Sequence, residues 1–195
     1  PVAHGQTNPL DTVYDPNGVQ YAHDPARARK LLTEAGWKTS GKSVRQNAKG
    51  DRLQLDLMTT AGNKSRELIQ QVLQSQWREV GVDIRIRNEP ARVFFGETVS
   101  SRKFPHMAMY AWISAPKGVP RTTLHSTQIP AKDNGWSGQN YPGFANAAMD
   151  KALDEVEVVC EDKPNKALWR DLQRIYADEL PVLPLYFRAN AFVMP

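Results

Sequence analysis

Apolar residues recur at helical spacing between Asp24 and Trp37, where Ala28, Leu31, Leu32 and Ala35 share one face. Asp24 can cap the N-terminus, Pro25 suits the first helical position, and Gly36 can take the left-handed turn that stops a helix. Further on, Leu53, Leu55 and Leu57 alternate with Gln54 and Asp56, a period of two that predicts a strand. Residues 59–63 (Thr-Thr-Ala-Gly-Asn) break the pattern. Leu68, Ile69, Val72, Leu73, Trp77 and Val80 then fall on one helical stripe, and Gly81 supplies the stop. Val82, Ile84 and Ile86 alternate again with Asp83, Arg85 and Arg87. The spacing predicts a β-α-β unit, whose crossover helix joins two parallel strands in the right-handed sense.

The remaining chain reads less regularly. Residues 1–22 have turn chemistry and no periodicity, so they form an extended lead-in segment. Residues 39–52 are polar and predict a surface loop. A short helix is expected over Ala91–Ser100, carrying Val93, Phe94 and Val99, and a buried strand over Met107–Trp112. Ser114–Pro142 reads as a long irregular connection, of the kind small domains keep for function. Two helices follow. Asn146 caps one that aligns Met149, Ala152, Leu153, Val156 and Cys160; the other starts near Pro164 and aligns Leu168, Leu172, Ile175, Tyr176 and Leu180. Leu185–Phe187 and Ala191–Val193 read as closing strands.

A chain of 195 residues suits one α/β domain. With 41% hydrophobic and 24% charged residues, and no apolar run near the ~20 residues of a membrane span, it reads as a globular chain. The net charge of +4 is spread along the sequence, and basic residues such as Arg27, Arg29, Lys30, Arg85 and Arg87 sit between apolar ones as on a solvated face. Nucleic acid is therefore not an expected partner. Cys160 alone cannot form an internal disulfide or a multi-cysteine metal site and reads as a small apolar helix residue. His4, His23, His106 and His125 lack ligand spacing and read as single surface histidines; no metal or cofactor is expected. No nucleophile elbow, phosphate loop or paired carboxylates mark an enzyme.

Asp24–Trp37 resembles the DPxxAxxLLxEAGW segment of the substrate-binding proteins of ABC importers for peptides, nickel and related solutes. Gly81–Ile84 is similar to that family's GI-x-V step, Trp112 to its GW position, Gly143–Leu153 to its G-Y-x-N-P-x-x-D-x-L-L segment, and Leu180–Tyr186 to its P-x-x-P-L-Y/F close. The likeness runs nearly end to end in the family's order. It implies one lobe of a type II periplasmic-binding-protein fold: a three-layer α/β domain with a largely parallel sheet flanked by helices. Residues 1–195 would be a single excised lobe, the C-terminal one, holding half a cleft and binding weakly without the remaining lobe of the full-length protein. Relatives that bind peptides carry an acidic residue soon after the Trp. Here Ile113–Pro116 follow and no carboxylate comes before Asp133, so such a pocket should discriminate less in favour of a free N-terminal ammonium.

The candidate ligand-binding residues are Thr59, Thr60, Gly62 and Asn63, at a strand's carboxyl end and a helix's N-terminus, together with Tyr110, Trp112 and Ser114 at the end of the next strand. Phe144 and Asn146 form a further rim. Thr59–Asn63 also suits turn chemistry, Trp112 a core and Asn146 a simple cap. The resemblance implies a periplasmic solute-binding protein, exported by a signal peptide absent from this chain. It would bind a peptide or other small-molecule solute and deliver it to an ABC-importer membrane permease. The alternative is the ligand-sensing domain of a transcription regulator built on the same lobe, which an upstream helix-turn-helix rather than a secretory leader would mark.

Overall fold

The computed structural model describes residues 2–39 and 43–188. The expected strand at Ala191–Val193 lies outside them. The chain divides into two compact units, Ala22–Trp112 and the combination of Pro1–Tyr21 with Ile113–Pro195. The fold class is α/β with a parallel sheet, and the sheet lies in the first of these units.

In that unit, α1 (Pro25–Glu34) is capped by Asp24, whose carboxylate accepts the Arg27 N–H, and Gly36 takes the left-handed φ that ends it. Its apolar face is shallower than the spacing predicts, because only Leu32 packs on the core while Leu31 stays exposed. Strand β1 (Gln54–Thr60) is central. It pairs in parallel with β2 (Asp83–Glu89) on one side and with β3 (Met107–Ala108) on the other. Between β1 and β2 runs α2 (Lys64–Glu79), so the β-α-β unit stands as the pattern predicts. Ile84, Val82 and Leu57 bury under Leu73 and Trp77 of α2. The stripe is narrower than expected: Leu68 and Val72 face outward, and the buried residue of α2 is Gln70.

Central position explains a second departure. A strand paired on both sides and covered by helix and loop loses its polar face, so β1 is buried from Asp56 to Thr60 instead of alternating. Asp56 is held by Arg85 at 2.7 Å, with Arg87 at 3.6 Å; these arginines form a charge cluster and not merely a solvated face. A buried carboxylate needs such partners. His106 joins them, its Nδ1 accepting the Asp56 N–H at 3.1 Å.

The polar stretch before β1 is also more than a surface loop. Arg45 is buried and donates to the carbonyls of Val80, Trp37 and Arg29 and to the Thr33 hydroxyl, at 2.7, 2.7, 3.2 and 3.0 Å. A guanidinium thus closes the C-terminal ends of α1 and α2, where helix carbonyls lack partners and the dipole favours a cation. Gly81 turns there at φ 88°, and a Cβ on it would stand 2.8 Å from Arg45 Cγ.

The second unit is built on α5 (Ala147–Val158) and α6 (Asp162–Glu179). Met149, Leu153 and Val156 meet Trp169, Leu172 and Tyr176 in one core, which also takes Val13 and Leu124. Cys160 lies beyond the end of α5 and is exposed. The lead-in segment straps onto α6 through Gln173, which accepts from the Asp15 N–H and donates to the Val13 carbonyl, and through the Tyr21 hydroxyl on Ala177. Of the closing strands, Leu185–Phe187 makes one antiparallel bridge, Tyr186 with Val2. The irregular connection contains α4 (Arg121–Leu124) and two short 3-10 turns. His125, expected at the surface, is buried there, its Nδ1 accepting the Thr127 N–H at 3.1 Å.

Candidate functional site

Three parallel strands end at one edge of the sheet in the Ala22–Trp112 unit, and that edge gathers most of the expected residues. The register sets Thr59 beside Asn88 and Thr60 beside Glu89. On the other flank, the Met109 N–H donates to the Met58 carbonyl at 2.8 Å and the Thr59 hydroxyl donates to the Met109 carbonyl at 2.7 Å. Tyr110 and Trp112 therefore leave β3 next to the end of β1. The expected strand over Met107–Trp112 is cut to two residues because its later part peels away, leaving Trp112 49% exposed.

The loop 59–63 is tightly organised. Asn63 caps α2, its Oδ1 accepting the Arg66 N–H at 3.1 Å, and Gly62 turns at φ 83°. The Gly62 N–H donates to Glu67 Oε1 at 2.8 Å, a bond that, with the Lys64 ammonium behind it, pulls the Glu67 carboxyl below the usual glutamate range. Thr59 is fully buried, and the Thr60 hydroxyl accepts from Arg66 Nη1 at 3.1 Å. Much of the polar chemistry read from the sequence thus fixes the loop itself. What the loop presents at the edge is a rigid turn with Arg66 folded over it.

Beside the loop stands an aromatic wall. Tyr110 meets Trp112 edge to face at 5.7 Å between ring centroids and Phe95 at 6.1 Å; Phe95 and Phe94 meet at 5.0 Å. Such pairs contribute about 0.5–1.5 kcal/mol each beyond burial. Phe94 is fully buried, whereas Phe95 and Trp112 remain partly exposed, so the wall has an anchored root and an open face. Phe94 and Phe95 follow α3 (Ala91–Val93) in a single π-helical turn, Phe94–Val99, where the expected helix widens. Turns of this kind are rare and recur at functional positions. Phe95 and Glu89 were not among the expected site residues. The signal for both was present, an acidic residue before Pro90 and an aromatic pair after it, but only the register sets Glu89 beside Thr60 and only the π-helical turn brings Phe95 to Tyr110.

The other expected residues belong to the second unit. Ser114 is exposed. Phe144 packs partly buried on the α5–α6 core, with its N–H and carbonyl both bonded to the buried Asn140 side chain. Asn146 caps α5, accepting the Ala148 and Met149 N–H groups at 3.0 Å each.

In open α/β sheets ligands bind in the crevice outside the carboxyl ends of the strands, which makes this edge the candidate site. Residues 2–135 match the family described as bacterial extracellular solute-binding proteins, family 5 (Middle), and the chain belongs to that family. It is 25% identical over 197 residues to the oligopeptide-binding protein AppA of Bacillus subtilis (strain 168), covering 100% of this chain and 35% of that protein. It is 26% identical over 194 residues to the nickel-binding periplasmic protein of Escherichia coli (strain K12), covering 94% and 36%. Among solved structures, the oligopeptide binding protein from Thermus thermophilus complexed with pentapeptide superposes with a TM-score of 0.90 at 31% identity, covering 97% of this chain and 34% of that one. The chain thus spans about a third of the length of its curated relatives.

Proposed function

We propose that this chain is one lobe of the solute-binding component of an ABC importer, which binds a peptide or other small polar solute in a cleft and delivers it to a membrane permease. The observation that carries this reading is the convergence of the 59–63 loop and the Tyr110–Trp112 segment at one carboxyl edge of a parallel sheet. Family membership and the peptide- and nickel-binding relatives support it. The whole protein would be exported to the periplasm, close its lobes on the ligand by a hinge motion and dock closed on the permease. Within this reading Thr60, Tyr110 and Trp112 line the ligand-binding edge of the Ala22–Trp112 unit, and Thr59, Gly62 and Asn63 hold its loop in shape. Native mass spectrometry of the protein, expressed from its complete gene in its own host, tests it. A co-purified solute at one per molecule is the expected result; a protein that carries none and takes up neither peptide nor nickel complex would refute the proposal.

A further inference from the structure

His125 joins α4 to the 3-10 turn Ser126–Gln128 in the second unit, with its side chain only 6% exposed. Its Nδ1 accepts the Thr127 N–H at 3.1 Å, stands 2.8 Å from the Thr127 hydroxyl, and so caps the turn. A backbone N–H can only donate, so the ring is neutral here and its one proton sits on Nε2. Nε2 makes no hydrogen bond, and among the described residues it is the one buried side-chain nitrogen or oxygen in that condition. A buried donor left unused is destabilising, so a state that uses it is favoured.

The charges around the ring show which state that is. Asp154 Oδ1 stands 3.5 Å from Nε2 and Asp150 Oδ1 3.9 Å from Nδ1, both on α5. Asp150 also accepts the Ser126 N–H and hydroxyl, which ties the turn to that helix. From α4, Arg121 Nη1 lies 2.6 Å from Asp154 Oδ1 and 3.3 Å from Glu157 Oε2. The Arg121 hydrogen bond draws the Asp154 carboxyl below the ordinary aspartate range, so Asp154 is an anion wherever a histidine titrates. Asn140, which donates to the His125 carbonyl at 3.0 Å, brings no charge. The ring is thus set between two carboxylates, with one guanidinium that is already engaged.

We propose that His125 is a proton-operated latch between the irregular connection and α5. Neutral, it caps the 126–128 turn; protonated, it gives up that cap and fastens to Asp154 instead. Uptake of a proton at Nδ1 removes the acceptor of the Thr127 N–H and makes a second donor. The Thr127 hydroxyl at 2.8 Å turns to accept it, with Asp150 behind. Thr127 is exposed, so the N–H released from the cap meets water. The positive ring then attracts Asp154 Oδ1 across the 3.5 Å gap, and the unused Nε2–H becomes a charge-assisted hydrogen bond. One proton therefore loosens residues 126–128 and tightens the hold of residue 125 on α5.

NMR of the protein expressed from its complete gene, with labelled histidine, threonine and aspartate, tests the latch from about pH 8 to about pH 5, the span a histidine titrates across. The His125 ring signals, assigned by their loss in His125→Asn, should move with one midpoint. The Thr127 amide and the Asp154 carboxyl carbon should follow that same midpoint. Solvent exchange of the Thr127 amide, corrected for its intrinsic pH dependence, should rise at least tenfold across it. In His125→Asn the new amide oxygen can still accept the Thr127 N–H but takes up no proton, so the Thr127 amide should stay fixed. His125→Gln supplies the assignment should the Asn variant fail to fold, and the wild-type coupling then decides. A His125 ring that does not titrate over this span overturns the proposal. So does one that titrates while the Thr127 amide stays where it is.

Discussion

Gln70 and Asn88 exchange reciprocal amide hydrogen bonds, Gln70 Nε2 to Asn88 Oδ1 at 2.9 Å and Asn88 Nδ2 to Gln70 Oε1 at 3.0 Å. Gln70 is fully buried, and its Nε2 also reaches the Leu57 carbonyl at 3.0 Å, while Asn88 Oδ1 receives the Thr59 N–H at 3.3 Å. One amide pair therefore ties α2 to both β1 and β2 directly behind the threonines of the candidate site. Gln70→Leu keeps the volume but leaves the Asn88 amide and the Leu57 carbonyl without these partners. It should cost about 1–3 kcal/mol in urea unfolding. An unchanged midpoint and slope would show that the pair contributes nothing.

Arg45 has a comparable role at the other end of α2. Its four donors reach three carbonyls and one hydroxyl, a fan that only a planar guanidinium can supply. Arg45→Lys retains the charge and loses the fork, so chemical denaturation should show a loss of roughly 2–4 kcal/mol from the bonds left unmade. Arg78→Lys, at an exposed position of the same helix, is the control and should be silent.

These two residues also mark what could be read in the chain and what could not. The helix limits set by Asp24, Gly36, Gly81 and Asn146 depend on local capping and backbone conformation, which short sequence windows encode, and each stands where the pattern predicts. The β-α-β unit was legible for the same reason, since periods of 2 and 3.6 are local. Burial of Gln70, Arg45, Asp56 and His125 was not, because it depends on partners 8 to 50 positions away that only the fold brings near. A polar residue within an apolar stripe, such as Gln70 next to Ile69 and before Leu73, is the signal that points to such a buried network. The candidate edge was legible as two strand ends, but the Phe95 face of its wall was not, because it follows from the π-helical turn.

The candidate loop should respond to acid. The Gly62 N–H and then the Lys64 ammonium hold the Glu67 carboxyl below its ordinary value. A carboxyl whose folded pKa lies below its unfolded one stabilises the fold above the ordinary glutamate value of about 4.3 and loses that contribution as pH falls through the depressed value. Carbon-detected NMR titration should place the Glu67 midpoint below about 4.3. Thermal melts of Glu67→Gln should then lose less stability than wild type between pH 5 and pH 3. A Glu67 midpoint at or above the ordinary value would contradict the loop geometry.

Trp112 bears most directly on the central claim, because it is the most exposed ring of the wall and meets its neighbour Tyr110 edge to face rather than sitting in a core. Removing it should disturb the fold little and the ligand greatly. The deciding measurement is a calorimetric titration of the complete protein and its Trp112→Ala variant with the solute released from the purified wild type. The account predicts one-to-one binding by the wild type and at least tenfold weaker binding by the variant, with similar melting temperatures. Equal affinity in the two would contradict the assignment of the ligand to this edge of the sheet.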